Sequence, residues 1–359
     1  MKRMKKPKLT HKFKNPIKRR LGTEARVTEA FANVPKITND TVAEHREQVL
    51  AGARKFIYPL QHSKNRVVRI SGILLVVALL SFFSIVGLEL YKFQSTSTFI
   101  YDVTKVIPFP VAKVGSSWVS YENYLFELRR NMHYYHTQQN TDFNSVDGKL
   151  QLQRLKTQAM AAVVQQAYAS QLADQKGITV SEQEVQDQVN LVRSQNRLGS
   201  SNRVFKDVLN EFWGWREADF ERELSQQLLQ QKVASKLDIA SRDRANNVLK
   251  QLQAGADFAT LAATYSDDPI TKANGGQYAD PISRTDHNVP PKLAAAFFSL
   301  KAGAISGVIN TGYSRDIVKV IDTNGSTVHA AHIQFNIKDI SDFIKPLAAK
   351  HPPHQYIKF

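Results

Sequence analysis

Apolar and polar positions alternate with different periods along this chain. Residues 70–88 form one block of 19 consecutive positions without a charge, with Ser71, Ser81 and Ser84 as its polar side chains. At 1.5 Å per residue, a helix of about this length approaches the roughly 30 Å hydrocarbon core of a bilayer. The block therefore predicts a membrane-spanning helix over 70–91. A buried core helix would carry a wider polar face. A cleaved signal peptide would start nearer the N-terminus and end in a small-residue cleavage pattern, and neither holds here.

Elsewhere the spacing is mostly helical. Residues 39–57 place Val42, Val49, Leu50, Ala53 and Phe56 roughly on one face, with Asn39 or Asp40 as the cap. The stretch 92–111, with Pro108 and Pro110, predicts an extended linker. Residues 111–120 suggest a short strand, a turn at Gly115 and a cap at Ser120. Helices are then expected over 121–135, 148–176, 182–193, 204–211 and 215–239. Gly177 stops the second, and the Ser181/Glu184 pair forms a capping box for the third. Further on, helices at 244–253, 257–265 and 291–300 lead to strands at 317–321 and 328–337.

Charge divides the chain at the apolar block. Residues 1–69 hold 18 Lys and Arg against 5 Asp and Glu, while the remainder holds 30 against 27. Lys and Arg favour the cytoplasmic side, which puts the tail inside and the C-terminal part outside. The tail to about residue 31 is expected to be disordered. Attraction to anionic headgroups explains its basicity, so nucleic acid is not an expected partner. There is no cysteine, which removes disulfides, thiolate nucleophiles and cysteine metal sites. No cofactor or metal is implied. Of the closely spaced histidines, only His133 and His136 have helical ligand spacing, and a solvated pair explains them better. Phe212, Trp213 and Trp215 suggest either a peptide groove or core packing.

Three motifs bear on family: 111–120, Lys176 to Val185 and Trp215 to Leu224. In order and spacing they resemble the N-terminal helical domain of SurA/PrsA-type foldases over roughly 112–238. Residues 245–322 resemble a parvulin-type (PpiC-like) peptidyl-prolyl isomerase domain. The carrying blocks are 245–268, Gly275–Gly276, 293–309 and Ile317 to Asp322. The resemblance implies an α+β fold, with a small antiparallel sheet flanked by helices. It also implies an apolar proline cup at Val289, Leu293 and Phe298, and a polar group at Asp268.

Two positions depart from the parvulin pattern. Asp316 stands where the family usually has a histidine in its last strand, and no histidine-bearing strand precedes Ala245. A segment like that missing strand, with His332 in place, follows instead at 328–337. Either it completes the domain, giving a circular permutation, or it begins a second, truncated copy. Only about twenty residues follow it, which favours the first. His332 would then face Asp268 and Asp316, and a carboxylate beside it would raise its pKa and fix its tautomer.

The expected organisation is a basic tail with a short helix (1–69), a transmembrane helix (70–91), a linker (92–111), a helical chaperone domain (112–240), a parvulin-like domain (241–340) and a C-terminal tail (341–359). The expected function is a membrane-anchored extracytoplasmic foldase of a bacterial envelope. It would isomerise X–Pro bonds in newly exported chains through Asp268, His332 and Asp316. The alternatives are a parvulin-like holdase without turnover and an envelope assembly scaffold.

Overall fold

The computed structural model describes residues 37–57, 60–194 and 201–359. The expected disorder of the tail to residue 31 concerns residues outside this set. The chain divides into two compact units, Met1–Phe82 and Phe83–Phe359.

In the first unit α1 (Asn39–Ile57) is exposed over residues 39–52. Its cap is Thr38 rather than Asn39 or Asp40: the Thr38 hydroxyl accepts from the Thr41 amide at 3.4 Å. Helix α2 (Leu60–Tyr91) contains Arg66–Tyr91. This is the one stretch among the described residues long and apolar enough to cross a membrane.

In the second unit α2 ends against protein. Val86 and Leu90 are buried, and the Tyr121 hydroxyl donates to the Leu90 carbonyl at 2.5 Å. The expected extended linker instead contains α3 (Thr98–Val106). Ser97 caps it, Ile100 and Thr104 bury one face, and Pro108 and Pro110 fall beyond its end, where a proline no longer breaks helical bonds. Strands β1 (Pro110–Val114) and β2 (Ser117–Ser120) form a hairpin around Gly115, whose φ of 56° is left-handed. Helices α4 (Tyr121–Gln138), α5 (Val146–Lys176), α6 (Glu182–Ser194), α7 (Asn202–Trp213) and α8 (Glu217–Leu237) follow. Phe126, Phe205, Leu209, Trp215 and Phe220 form a core among them. Trp215 stacks on Phe126 at 5.4 Å between centroids and is buried, and with Trp213 it also lines a hollow of about 290 Å³, so the cluster packs the core and borders a groove.

The second half of this unit is a four-stranded antiparallel sheet between helices. Its strands are β3 (Ile282–Ser283), β4 (Ile309–Asn310), β5 (Ser314–Thr323) and β6 (Thr327–Asn336), in the order β3-β6-β5-β4. Strand β6 pairs with β5 with His332 opposite Val318. One face packs Ile317, Ala331, Ile333 and Phe335 against α9 (Ile239–Gln253) and α10 (Phe258–Tyr265). The other packs Val318, Val320, Val328 and Ala330 against α12 (Pro291–Ser299). Two-residue alternation puts Asp316 and His332 on this second face. The short α11 (Pro269–Lys272) lies between α10 and β3 in the chain.

Residues 341–359 are not a free tail. Asp339 caps α13 (Ile340–Lys350), which packs on α5 and α8 through Ile340 and Ile344. Strand β7 (His354–Gln355) then pairs with β1. The Tyr168 hydroxyl donates to the His351 carbonyl at 2.5 Å, and Ile357 is buried. The helix carries a local signal, with Asp339 as cap and Ile340, Phe343, Ile344 and Leu347 on one face, although Pro346 lies inside it.

Candidate active site

Three segments meet at His332. Strand β6 supplies the imidazole and β5 supplies Asp316 from the adjacent strand. The 266–268 turn brings Asp268 over β6: the Ser266 hydroxyl accepts from the Gln334 amide at 3.1 Å and the Asp267 amide donates to the Gln334 carbonyl at 2.7 Å. Arg244 braces the turn through two hydrogen bonds to Asp267, at 2.7 and 3.0 Å. Asp268 also caps α11, accepting from the Ile270 and Thr271 amides at 3.1 and 3.2 Å.

The result is a carboxylate–imidazole–carboxylate chain. His332 Nε2 lies 2.9 Å from Asp268 Oδ2 and 3.0 Å from Thr271 Oγ1, and Nδ1 lies 3.2 Å from Asp316 Oδ1. The Thr271 hydroxyl donates to Asp268 at 2.5 Å, and the Ser314 hydroxyl donates to Asp316 at 2.5 Å. Every oxygen and nitrogen that faces the imidazole thus has a complementary partner. His332 and Asp316 are buried, while the Asp268 side chain keeps 14 % of its surface open. Asp268 is the end of the chain that solvent reaches.

Burial alone would lower the His332 pKa, because it penalises the imidazolium. Hydrogen bonds to Asp316 and Asp268, with their charges, outweigh this and raise it. Burial would raise the Asp268 pKa, but hydrogen bonds from Thr271 and His332 and from the Ile270 amide hold it below the usual carboxylate range.

The paired glycines have a steric reason. Gly276 has φ of 83°, its carbonyl accepts from the His332 amide at 2.8 Å, and a Cβ there would lie 2.3 Å from the His332 carbonyl oxygen. This close approach sets Tyr278 over the imidazole, with ring centroids 4.8 Å apart.

The three apolar site residues gather on the α12 face of the sheet, but not as an open cup. Val289 and Leu293 are buried in a cluster with Ile282, Phe297 and Val318. Phe298 is half-buried, with the Arg284 guanidinium 4.2 Å from its ring centre. A hollow of about 370 Å³ beside it is lined by Arg284, His287, Val289, Pro291, Ala294 and Phe298, among others. Leu293, Asp268, His332 and Asp316 are not in that lining. The fully buried phenylalanine of α12 is Phe297, next to Phe298.

Sequence reasoning missed Thr271, Ser314 and Tyr278. The first two carried a weak signal: Thr271 is three residues after a helix-capping aspartate, and Ser314 is two before Asp316 on the same strand face. Tyr278 carried none beyond following Gly275–Gly276.

Residues 60–234 match the SurA-like N-terminal domain family, and residues 228–322 match the PPIC-type PPIase domain family. The chain joins a SurA-like N-terminal domain to a PPIC-type PPIase domain. The two matches overlap within α8. The PPIase match ends before β6 begins, so His332 reaches the sheet from outside the matched stretch.

Among similar proteins, a Foldase protein PrsA of Caldanaerobacter subterraneus is 29% identical over 192 residues, covering 48% of this chain and 58% of the relative. A Foldase protein PrsA of Clostridium botulinum is 39% identical over 82 residues, 23% of this chain and 24% of the relative. A Chaperone SurA of Thiobacillus denitrificans is 33% identical over 107 residues, 28% of this chain and 24% of the relative. The chain thus spans 58% of the first relative's length and about a quarter of the others'.

Proposed function

We propose that this protein is a membrane-anchored extracytoplasmic foldase, a peptidyl-prolyl cis-trans isomerase and chaperone for exported chains. The observation that carries the reading is the Asp268–His332–Asp316 chain, set in a PPIase-family sheet and fused to a SurA-like domain. Relatives named as a foldase and a chaperone support it. The charge split around α2 supports a cytoplasmic N-terminus and an extracytoplasmic second unit. Unfolded polypeptides with X–Pro bonds are the substrate class. Strand β6 acts as the opening strand of a permuted parvulin-like sheet.

The chemistry requires no nucleophile. The X–Pro bond rotates over a barrier of about 18–20 kcal/mol, and a catalyst need only bind the twisted amide better than either planar form. Asp268, the partly open end of the chain, is the group that meets the amide. His332 and Asp316 lie behind it, fixing its orientation and its charge. Phe298 and the hollow beside it grip the proline ring.

The buried state of Val289 and Leu293 favours a second reading, a holdase that binds peptides without turnover. Isomerisation of a short X–Pro peptide by the full chain in nanodiscs separates the two. The expected result is acceleration over the uncatalysed rate, with His332→Ala and Asp268→Ala lowering turnover more than peptide binding. Peptide binding with no acceleration would decide for the holdase.

A further inference from the structure

Where α2 joins the second unit, the surface is aromatic and basic. The Tyr91 hydroxyl donates to the Pro110 carbonyl at 2.7 Å, and the adjacent Val111 carbonyl accepts from the Tyr356 amide at 2.9 Å. Tyr356 stacks on Trp118 with centroids 6.0 Å apart. The Lys113 ammonium sits 5.1 Å from the Trp118 ring, and that of Lys92 5.7 Å from the Phe93 ring. Trp118 is 61% exposed and Phe93 62%. Trp118, Lys113 and Tyr356 group on the β2-β1-β7 sheet, and Lys92 and Phe93 follow Tyr91, which bonds to the first residue of β1.

The length of the apolar run says what covers the patch. Val86 and Leu90 bury one face of the helix end, while Ile85 and Leu88 between and beside them stay 60% and 50% exposed. The exposed apolar face therefore runs from Ile70 to Leu88, about 28 Å of helix against a hydrocarbon core of roughly 30 Å. Lys92, Phe93 and the strands tied to Tyr91 then fall at the level of the headgroup layer. Tryptophan and tyrosine are suited to that layer, and lysines there keep their stems in apolar surroundings with the ammonium in water.

We propose that the face formed by Phe93, Trp118 and Tyr356, with Lys92 and Lys113, is seated in the lipid interfacial layer and holds the foldase at a fixed height on the membrane. This rests on the anchor reading above. It adds that the second unit touches the bilayer rather than standing off on a tether.

The chain contains no cysteine, so single labelling sites are clean. Phe93→Cys, Trp118→Cys, Leu80→Cys and Ile270→Cys full-length variants would carry a spin label in nanodiscs of phosphatidylcholine and phosphatidylglycerol. Collision with oxygen and with a water-soluble nickel chelate is then compared. The expected result is a lipid-embedded Leu80 label, an aqueous Ile270 label, and oxygen-to-nickel ratios at Phe93 and Trp118 several-fold above that at Ile270. If Leu80 is in lipid while Phe93 and Trp118 match Ile270, the anchor stands and the seating is wrong. Spin–spin broadening at Trp118 assigns the face to a second copy and overturns the proposal. An aqueous Leu80 overturns the anchor, and the seating with it.

Discussion

The PPIase sheet and the helical domain each bury a cluster of charges, and the two are balanced differently. Around His332 both ring nitrogens meet an acceptor, and both carboxylates gain a hydroxyl donor as well. In the helical domain Glu127 is equally buried. Gln166 donates to its Oε1 at 2.8 Å, and an Arg130 nitrogen lies 2.9 Å from its Oε2. That second contact has ion-pair distance without hydrogen-bond geometry, and Glu223 Oε2, 3.4 Å from Arg130, is in the same position. The outcome follows the donors. Asp268 is held below the usual carboxylate range. Burial pushes Glu127 above it despite the nearby arginines. Both sites bury charge, but only the PPIase site orients every group.

The most forceful way to break the comparison is to remove one member from each cluster. Asp316→Ala leaves His332 with a single carboxylate and takes from the buried Ser314 hydroxyl its charged acceptor, with only the Thr311 hydroxyl left at 2.9 Å. Losing one partner of a buried charge pair costs about 3–5 kcal/mol. Glu127→Gln removes a charge that is poorly satisfied, and should change stability by less than about 1 kcal/mol. Chemical denaturation of the two variants checks the contrast. Equal losses would mean that the helical cluster is as well ordered as the sheet cluster.

A smaller effect is expected at Gly276. Alanine there must tolerate a φ of 83° and a Cβ directed at the His332 carbonyl. Strain of this kind costs of order 1–3 kcal/mol. The shift would also move Tyr278 off the imidazole. The check is a lower denaturation midpoint together with altered His332 ring chemical shifts. Unchanged shifts would mean that the loop does not position the site.

Much of this was legible in the chain for identifiable reasons. Helices in the SurA-like region announce themselves through caps such as Ser120 and Ser181 and stops such as Gly177, which are local chemistry. The convergence of Asp268, His332 and Asp316 was legible through the resemblance to parvulins; strand alternation supports it for Asp316 and His332, but Asp268 lies in a turn that no alternation places. The burial of Val289 and Leu293 was not, since it depends on how closely α12 presses on the sheet. The helix α3 was hidden by reading the effect of Pro108 and Pro110 backwards along the chain. The docking of α13 and β7 rests on long-range contacts that no local pattern contains.

The smallest effect, and the one that sharpens the comparison, is the dependence of stability on pH. His332 has a raised folded-state pKa. Its contribution is fully present below the unfolded value of 6.5 and is lost as pH rises through the folded value. Glu127 is also raised, so its contribution is fully present below 4.5 and lost as pH rises through its own folded value. Asp268 runs the other way: its contribution holds above 3.8 and is lost as pH falls through a lower folded value. Above about pH 6.5 His332 therefore adds to the slope, with its change amounting to about 1.4 kcal/mol for each unit by which its pKa is raised, and Glu127 adds to it up to its own folded value. Denaturation midpoints measured from pH 5 to pH 9 should fall with rising pH in the wild type. His332→Gln should flatten the fall above 6.5 and leave the region below it unchanged, whereas Glu127→Gln should alter the slope from 4.5 upward. In a Glu127→Gln background, a slope above pH 6.5 that is the same with and without His332→Gln would show that the imidazole is not charged in the folded sheet, and that Asp268 is oriented by a neutral ring.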